Sequence, residues 1–467
     1  MRYISTRGEA PSVSFTDALL IGLARDGGLY VPESSPQISA QTIAGFKGKA
    51  YADVAVEVIS PFIGGAISNA ELSRMAREAY AAFDHPAVAP LHALKSGEYL
   101  LELFHGPTLA FKDVAMQLLA RLMDHVLAER GERATIVGAT SGDTGGAAIE
   151  AFRGRERADV IILFPNGRVS DVQRRMMTTL PDRNVHAVAI NGTFDDCQAI
   201  VKGLFADHRF RDRVKLSGVN SINWGRIVAQ IVYYFTAAAA LGGREKISFV
   251  VPTGNFGDIF AGYTARRMGL PMERLVIATN VNDILARTLA SGCYEVKKVI
   301  ATESPAMDIQ VSSNFERLLF DAYGRDAAAI RALMSNLASA GSLEIAAAPL
   351  AAIRGVFDAG RADEAETRET IRAVDRENGY LLDPHSAVGI AVARKLALKR
   401  PFVSLATAHP AKFPEAVAEA TGKHPALPAR LADLGRRQER FEILPADQAA
   451  VAKFVMKHSR VAEGAAA

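Results

Sequence analysis

Cysteine is scarce. Of 467 residues only two are cysteines, Cys197 and Cys293, far apart and outside any CxxC or Cys/His spacing, so neither a disulfide framework nor a cysteine zinc site is available. The ten histidines are scattered, with no HExxH, and no metal site is expected. Net charge is also lacking: 54 basic residues against 51 acidic ones give +3, interleaved along the chain, so no basic face for nucleic acid is expected. Long apolar runs are missing. The longest uncharged stretch, Ile227 to Gly243, contains Gln230 and two tyrosines and falls short of the roughly 20 residues of a bilayer span; it reads as a buried helix. No apolar segment follows Arg2 and Arg7 as a leader would require. A cytoplasmic protein with a small-molecule partner, monomer or homodimer, is the expectation. GxGxxG, GxxxxGK[ST] and GxSxG are all absent, which argues against the familiar nucleotide cradles and the hydrolase elbow.

What is present is a strand–loop–helix rhythm. With 49% hydrophobic and 22% charged residues the chain can bury large cores. Residues 1–95 read as an N-terminal, mainly helical region, closed by the proline-bearing linker 84–90. Beyond it, short apolar strand patterns at Ala134–Ala139, Val160–Phe164, Val185–Ile190, Ile247–Val251, Leu275–Ala278 and Phe402–Ala406 alternate with helical ones. That pattern predicts an α/β fold with parallel sheets covered on both faces. The expected division is 1–95, 96–245 and 246–467.

Chemistry concentrates at four points. Lys112 ends an apolar run (Leu103 to Phe111) at the start of a predicted helix, where the helix dipole and apolar surroundings disfavour an ammonium and favour the neutral amine that attacks a carbonyl. A surface lysine lying along an apolar patch fits the same residues, and the local sequence leaves both open. Thr140-Ser141-Gly142-Asp143-Thr144-Gly145 follows a strand and opens a helix, a receptor for a carboxylate or phosphate or simply a capped turn. Gly254-Asn255-Phe256-Gly257-Asp258 does the same after the strand 247–251, and without nucleotide motifs a bare phosphate is its expected anion. Ser221, Asn223 and Arg226 stand just before the long buried helix; taken alone they read as an Asn223 cap and a solvated arginine, although Asn223 and Arg226 share a face that suits a second phosphate. Thr407, after the last strand, either caps a turn or aims its hydroxyl at a ligand.

Ser5-Thr6-Arg7-Gly8, Asp26 through Pro32, His105 through Asp113, Ser141 through Gly145, Gly254 through Asp258, and Thr407 through Phe413, in that order, resemble the threonine synthases, in their longer branch, among the fold type II pyridoxal phosphate enzymes. The resemblance implies two open α/β domains with pyridoxal 5'-phosphate in the cleft between them. It implies Lys112 as the catalytic Schiff-base lysine, and Gly254, Asn255, Phe256, Gly257 and Asp258 at the cofactor phosphate. It further implies Thr407 at the pyridine nitrogen and Asp143 near the cofactor's hydroxyl. Thr140, Ser141, Gly142 and Thr144 would receive the substrate carboxylate, and Ser221, Asn223 and Arg226 the phosphate of O-phospho-L-homoserine. Relatives in the wider fold type often carry Asn where Asp143 stands; an ionised carboxylate cannot donate the hydrogen bond that an amide would. The implied reaction is loss of phosphate from Cγ followed by addition of water at Cβ to give L-threonine. A lyase or dehydratase of the same fold yielding 2-oxobutanoate, and a non-catalytic paralogue, are the alternatives.

Overall fold

The computed structural model describes residues 1–140 and 142–461, apart from the Ser96 side chain; Ser141, an expected substrate contact, lies outside the described residues. Two parallel sheets dominate. One has the strand order Phe357–Arg361, Met272–Thr279, Ile247–Pro252, Phe402–Ala406, Glu98–Glu102, Leu91–Ala93, parallel except for its last pair. The other runs Glu442–Pro445, Val185–Asn191, Ala158–Pro165, Ala134–Ala139, Leu216–Ser217, parallel throughout. Every residue of Ala158–Pro165, Ile247–Pro252 and Phe402–Ala406 is buried, as strands covered by helices on both faces must be.

The sheets do not follow the expected division at residues 95 and 245. Glu98–Glu102, assigned to the 96–245 unit, pairs with Phe402–Ala406 in the other sheet. Glu442–Pro445, assigned to the 246–467 unit, crosses back to pair with Val185–Asn191. Strand pairing follows which sheet edge is open and which apolar face can be covered, and chain adjacency is no guide to either.

The N-terminal region, expected to be mainly helical, has the helices Phe15–Ile21, Tyr51–Ile63 and Asn69–Tyr80 and also a three-stranded antiparallel sheet formed by Val13–Ser14, Arg2–Ser5 and Tyr30–Pro32. Two of the sequence motifs bolt this region to the rest. Thr6 Oγ1 donates to Glu316 Oε1 at 2.6 Å and Arg7 pairs with the same carboxylate at 3.1 Å. The carbonyl of Tyr30 accepts from the fully buried Arg317 at 3.0 and 3.1 Å. Arg317 reaches on to the carbonyl of Ile222 at 2.6 Å, so the Asp26–Pro32 stretch sets the position of the segment that carries Ser221 and Arg226.

The helix Trp224–Ala240 is the long buried helix expected from its uncharged run. Nearly all its residues are buried, and it packs against the helices Lys112–Glu129 and Gly257–Arg267. Apolar residues on every side of a helix require neighbours on every side, and this helix accordingly ties the elements bearing Lys112 and the Gly254–Asp258 loop into one core.

Candidate active site

Lys112 is the first residue of the helix Lys112–Glu129 and is 7% exposed. Its ammonium sits 4.5 Å from the Phe111 ring centre and 3.4 Å from Asp143 Oδ2. Burial pushes its pKa below the ordinary lysine range; Asp143 opposes this, while Lys412 and Arg226 add to it.

Asp143 opens the helix Asp143–Phe152, and three groups hold its carboxylate. Besides Lys112, Lys412 Nζ lies 2.6 Å from Oδ1 and Gln173 Nε2 donates to the same oxygen at 2.9 Å. Burial alone would raise its pKa, but Lys412, Lys112 and His385 outweigh it and keep the group ionised. The turn before it is shaped from within. Thr140 Oγ1 accepts from the N–H groups of Gly142 and Gly145, both at 2.9 Å, and is 3% exposed. Gly142 has φ +147°, and a Cβ there would lie 2.5 Å from the Gln173 side chain. The N–H groups of Asp143 and Thr144, in the first helical turn, have no acceptor within the helix and are the ones the turn can offer an anion.

The Gly254–Asp258 loop joins the strand Ile247–Pro252 to the helix Gly257–Arg267. Phe256 takes the left-handed conformation at φ +63°, which turns the chain sharply into the helix. The loop is braced from behind. Asn255 O accepts from Asn314 N and Nδ2 at 3.1 and 2.9 Å, and Gly254 O accepts from Ser312 Oγ at 2.6 Å. A Cβ on Gly254 would stand 2.7 Å from Ala306 O. No acceptor among the described residues takes the N–H groups of Gly254, Asn255 and Phe256. Carbonyls held from behind and N–H groups left open in front form a cup for an anion.

Asp258 differs from its neighbours in the loop. Its side chain turns toward the long buried helix, where both Tyr233 and Tyr234 hydroxyls donate to Oδ1, the latter at 2.9 Å, and Oδ2 has no partner. What Asp258 presents to an anion is its backbone. Burial raises its carboxyl to about 6, against the pull of the two tyrosines, Lys112 and Arg226. The charges of Lys112 and Arg226 thus both act on this residue, which puts amine and guanidinium within electrostatic reach of the phosphate-cup helix.

Arg226 is 3% exposed. Among the described residues its side chain makes one long bond, to Val219 O at 3.4 Å, its Nε has no partner, and no carboxylate pairs with it. Burial lowers its pKa to about 10. A buried guanidinium with this few partners is uncommon and is suited to an anionic ligand. The solvated arginine that the local sequence favoured is thereby corrected. The cap reading of Asn223 holds: Oδ1 accepts from Gly225 N at 2.9 Å, and Nδ2 donates to Leu19 O at 2.8 Å and Gly218 O at 3.1 Å. Its fully buried side chain is occupied by the fold, so it positions Ser221 and Arg226 and has no donor left for a ligand. Ser221 O accepts from Asn314 Nδ2 at 3.1 Å, linking this segment to the phosphate cup.

Thr407 follows the strand Phe402–Ala406. Its N–H donates to Ser386 Oγ at 3.0 Å and its carbonyl accepts from Phe111 N at 2.8 Å, which places it directly beside the Lys112 helix start. Ser386 and His385 are both held by Asp383, the cap of the helix Pro384–Lys395.

Sequence reasoning missed several of these residues. Lys412 lies within the Thr407–Phe413 motif, and a lysine between apolar residues is the same signal that singled out Lys112. Asp383-Pro384-His385-Ser386 carries a helix-start signature. Gln173, Asn314, Arg317 and the Tyr233–Tyr234 pair had no local signal, since their partners lie far away in the chain.

The residues present fit pyridoxal phosphate: a buried amine of lowered basicity for its aldehyde, a cup of open N–H groups for its phosphate, and a hydroxyl at a strand end for its ring. Comparison with known proteins agrees. The family description Threonine synthase N terminus matches residues 2–80, Pyridoxal-phosphate dependent enzyme residues 84–405, and Threonine synthase, C-terminal residues 386–455. A threonine synthase of Pseudomonas aeruginosa is 53% identical over 98% of both chains. The crystal structure of a PLP-bound threonine synthase from Brucella melitensis superposes with a TM-score of 0.96 at 62% identity, covering 98% of this chain and 100% of that one. Threonine synthase from yeast gives 0.92 at 38% identity, over 98% of each. The chain belongs to the threonine synthase family of pyridoxal-phosphate-dependent enzymes.

Proposed function

We propose that this chain converts O-phospho-L-homoserine and water into L-threonine and phosphate, the last step of threonine biosynthesis, in the cytoplasm. One observation carries the reading: the buried amine of Lys112 and the buried guanidinium of Arg226, which has no carboxylate partner among the described residues, both lie within electrostatic reach of Asp258 at the anion cup. Pyridoxal phosphate, when bound, supplies the electron sink that allows bonds at Cα, Cβ and Cγ of an amino acid to be broken and made.

The chain's own groups do the rest. Gly254, Asn255, Phe256, Gly257 and Asp258 hold the cofactor phosphate through backbone N–H groups at a helix start. Thr407 offers a hydroxyl to the ring nitrogen, and a hydroxyl, unlike a carboxylate, does not hold a proton there. The Asp143 and Thr144 N–H groups, in the turn shaped by Thr140 and Gly142, take the substrate carboxylate; Ser141 completes that loop in sequence. Ser221 and Arg226 bind the substrate phosphate and orient it for departure from Cγ, with Asn223 fixing the segment. Lys112, as a free amine over the substrate, carries protons between Cα, Cβ and Cγ.

The experiment is an absorption spectrum of the purified protein, then addition of O-phospho-L-homoserine with assays for released phosphate and for threonine. Stoichiometric threonine and phosphate support the reading; 2-oxobutanoate in place of threonine would make the chain a dehydratase. Lys112→Ala is expected to give a folded protein without the visible cofactor band, and an undiminished yellow protein would remove Lys112 from its role.

A further inference from the structure

Two buried lysines share one carboxylate. Lys412, its side chain 1% exposed, lies 2.6 Å from Asp143 Oδ1 and also donates to Thr108 O at 2.8 Å. Lys112, its side chain 9% exposed, lies 3.4 Å from Asp143 Oδ2. The first is a short charge-assisted bond and the second is at the edge of bonding distance. Gln173 adds a donor to the oxygen that Lys412 uses, so the carboxylate is anchored on the Lys412 side.

The one carboxylate that both lysines contact cannot balance two buried ammoniums. Arg226 adds a third positive charge facing Lys112, His385 faces Asp143, Asp113, whose carboxyl takes the N–H and hydroxyl of Thr108, faces Lys412, and Asp258, itself difficult to ionise, faces Lys112. Burying surplus charge is costly enough that a group gives up its proton instead. Geometry decides which one. Lys412 has two oxygen acceptors within 2.8 Å and keeps its proton; Lys112 has, among the described residues, one loose contact and an aromatic ring.

We propose that Lys412 is a positioning residue that holds Asp143 as an ionised carboxylate and thereby leaves Lys112 as the neutral amine the reaction requires. The proton lost by Lys112 goes to solvent, because Asp143 is already engaged by Lys412 and Gln173. Lys412 itself makes and breaks no bond to carbon. The pairing also gives the carboxylate at position 143 a fixed charged partner. The inference rests on Lys112 being the cofactor-bearing lysine.

The test reads Lys112 directly. Full-length protein freed of cofactor is labelled with trace acetic anhydride across a pH series, and the labelled fraction of Lys112 is followed by mass spectrometry; cofactor uptake at pH 7 is timed by absorbance. In Lys412→Met, with the competing cation gone, Asp143 turns to Lys112. The midpoint for Lys112 should rise by about one pH unit and uptake at pH 7 should slow about 10-fold. Lys412→Arg should restore the wild-type midpoint. Asp143→Asn, which keeps the shape and removes the charge, should move the midpoint down, and it serves alone if Lys412→Met does not fold. An unmoved midpoint in folded Lys412→Met, an Arg variant that behaves like Met, or an Asp143→Asn midpoint that stays or rises would overturn the proposal. Covalent cofactor capture persisting in Lys112→Ala would instead overturn the assignment of Lys112, leaving the two failures distinct.

Discussion

Replacing Asp258 by Asn should make the cofactor-free protein more stable at alkaline pH. Asp258 is 7% exposed, and burial raises its carboxyl from the usual 3.8 to about 6. Because the folded value lies above the unfolded one, the native chain binds more protons between pH 4 and 6. Stability contributed by this group is therefore present below about pH 4, falls as pH rises through 6, and stays lost above it. About two pH units at 1.36 kcal/mol each make the loss about 3 kcal/mol. Asn keeps an acceptor for the Tyr233 and Tyr234 hydroxyls that meet Oδ1 and carries no charge to desolvate. Urea unfolding of cofactor-free wild type and Asp258→Asn at intervals from pH 4 to 8 measures the difference. The two should be nearly equal at pH 4 and diverge through pH 6, with the variant the more stable at pH 8 by up to about 3 kcal/mol. A difference that does not vary with pH, or a wild type that is the more stable at pH 8, would refute the claim that this carboxylate is buried at a cost.

Gly254→Ala should weaken cofactor binding about 10- to 100-fold, since its Cβ would stand 2.7 Å from the backbone oxygen of Ala306 and displacements well under 1 Å matter in such sites. Gly435→Ala, whose Cβ meets nothing within 4 Å, is the control, and equal cofactor affinity in both variants would show that the cup is not tightly fitted. Arg226→Ala should raise KM for O-phospho-L-homoserine about 10- to 100-fold, the scale of a lost charged hydrogen bond of about 1.5–3 kcal/mol. An unchanged KM would remove Arg226 from the phosphate site.

Local patterns in the chain were sufficient for the alternation of strand, turn and helix. A buried strand followed by a glycine-bearing turn and a helix start reads directly from Ile247 through Ile259 and from Ala134 through Ala147, because strand burial, left-handed turns and open helix ends are each decided within a few residues. Lys112 at the head of its helix and the long buried helix after Asn223 were legible for the same reason. Tertiary structure alone decided which sheet each strand joins, since Glu98–Glu102 and Glu442–Pro445 cross to the sheets that have an edge to offer. It alone decided the charge states as well. The ionisation of Asp143 depends on Lys412 and Gln173, which come from distant parts of the chain, and that of Asp258 on two tyrosines of another helix. Electrostatic balance in a buried cleft is a property of distances through space, and those exist only once the chain has folded.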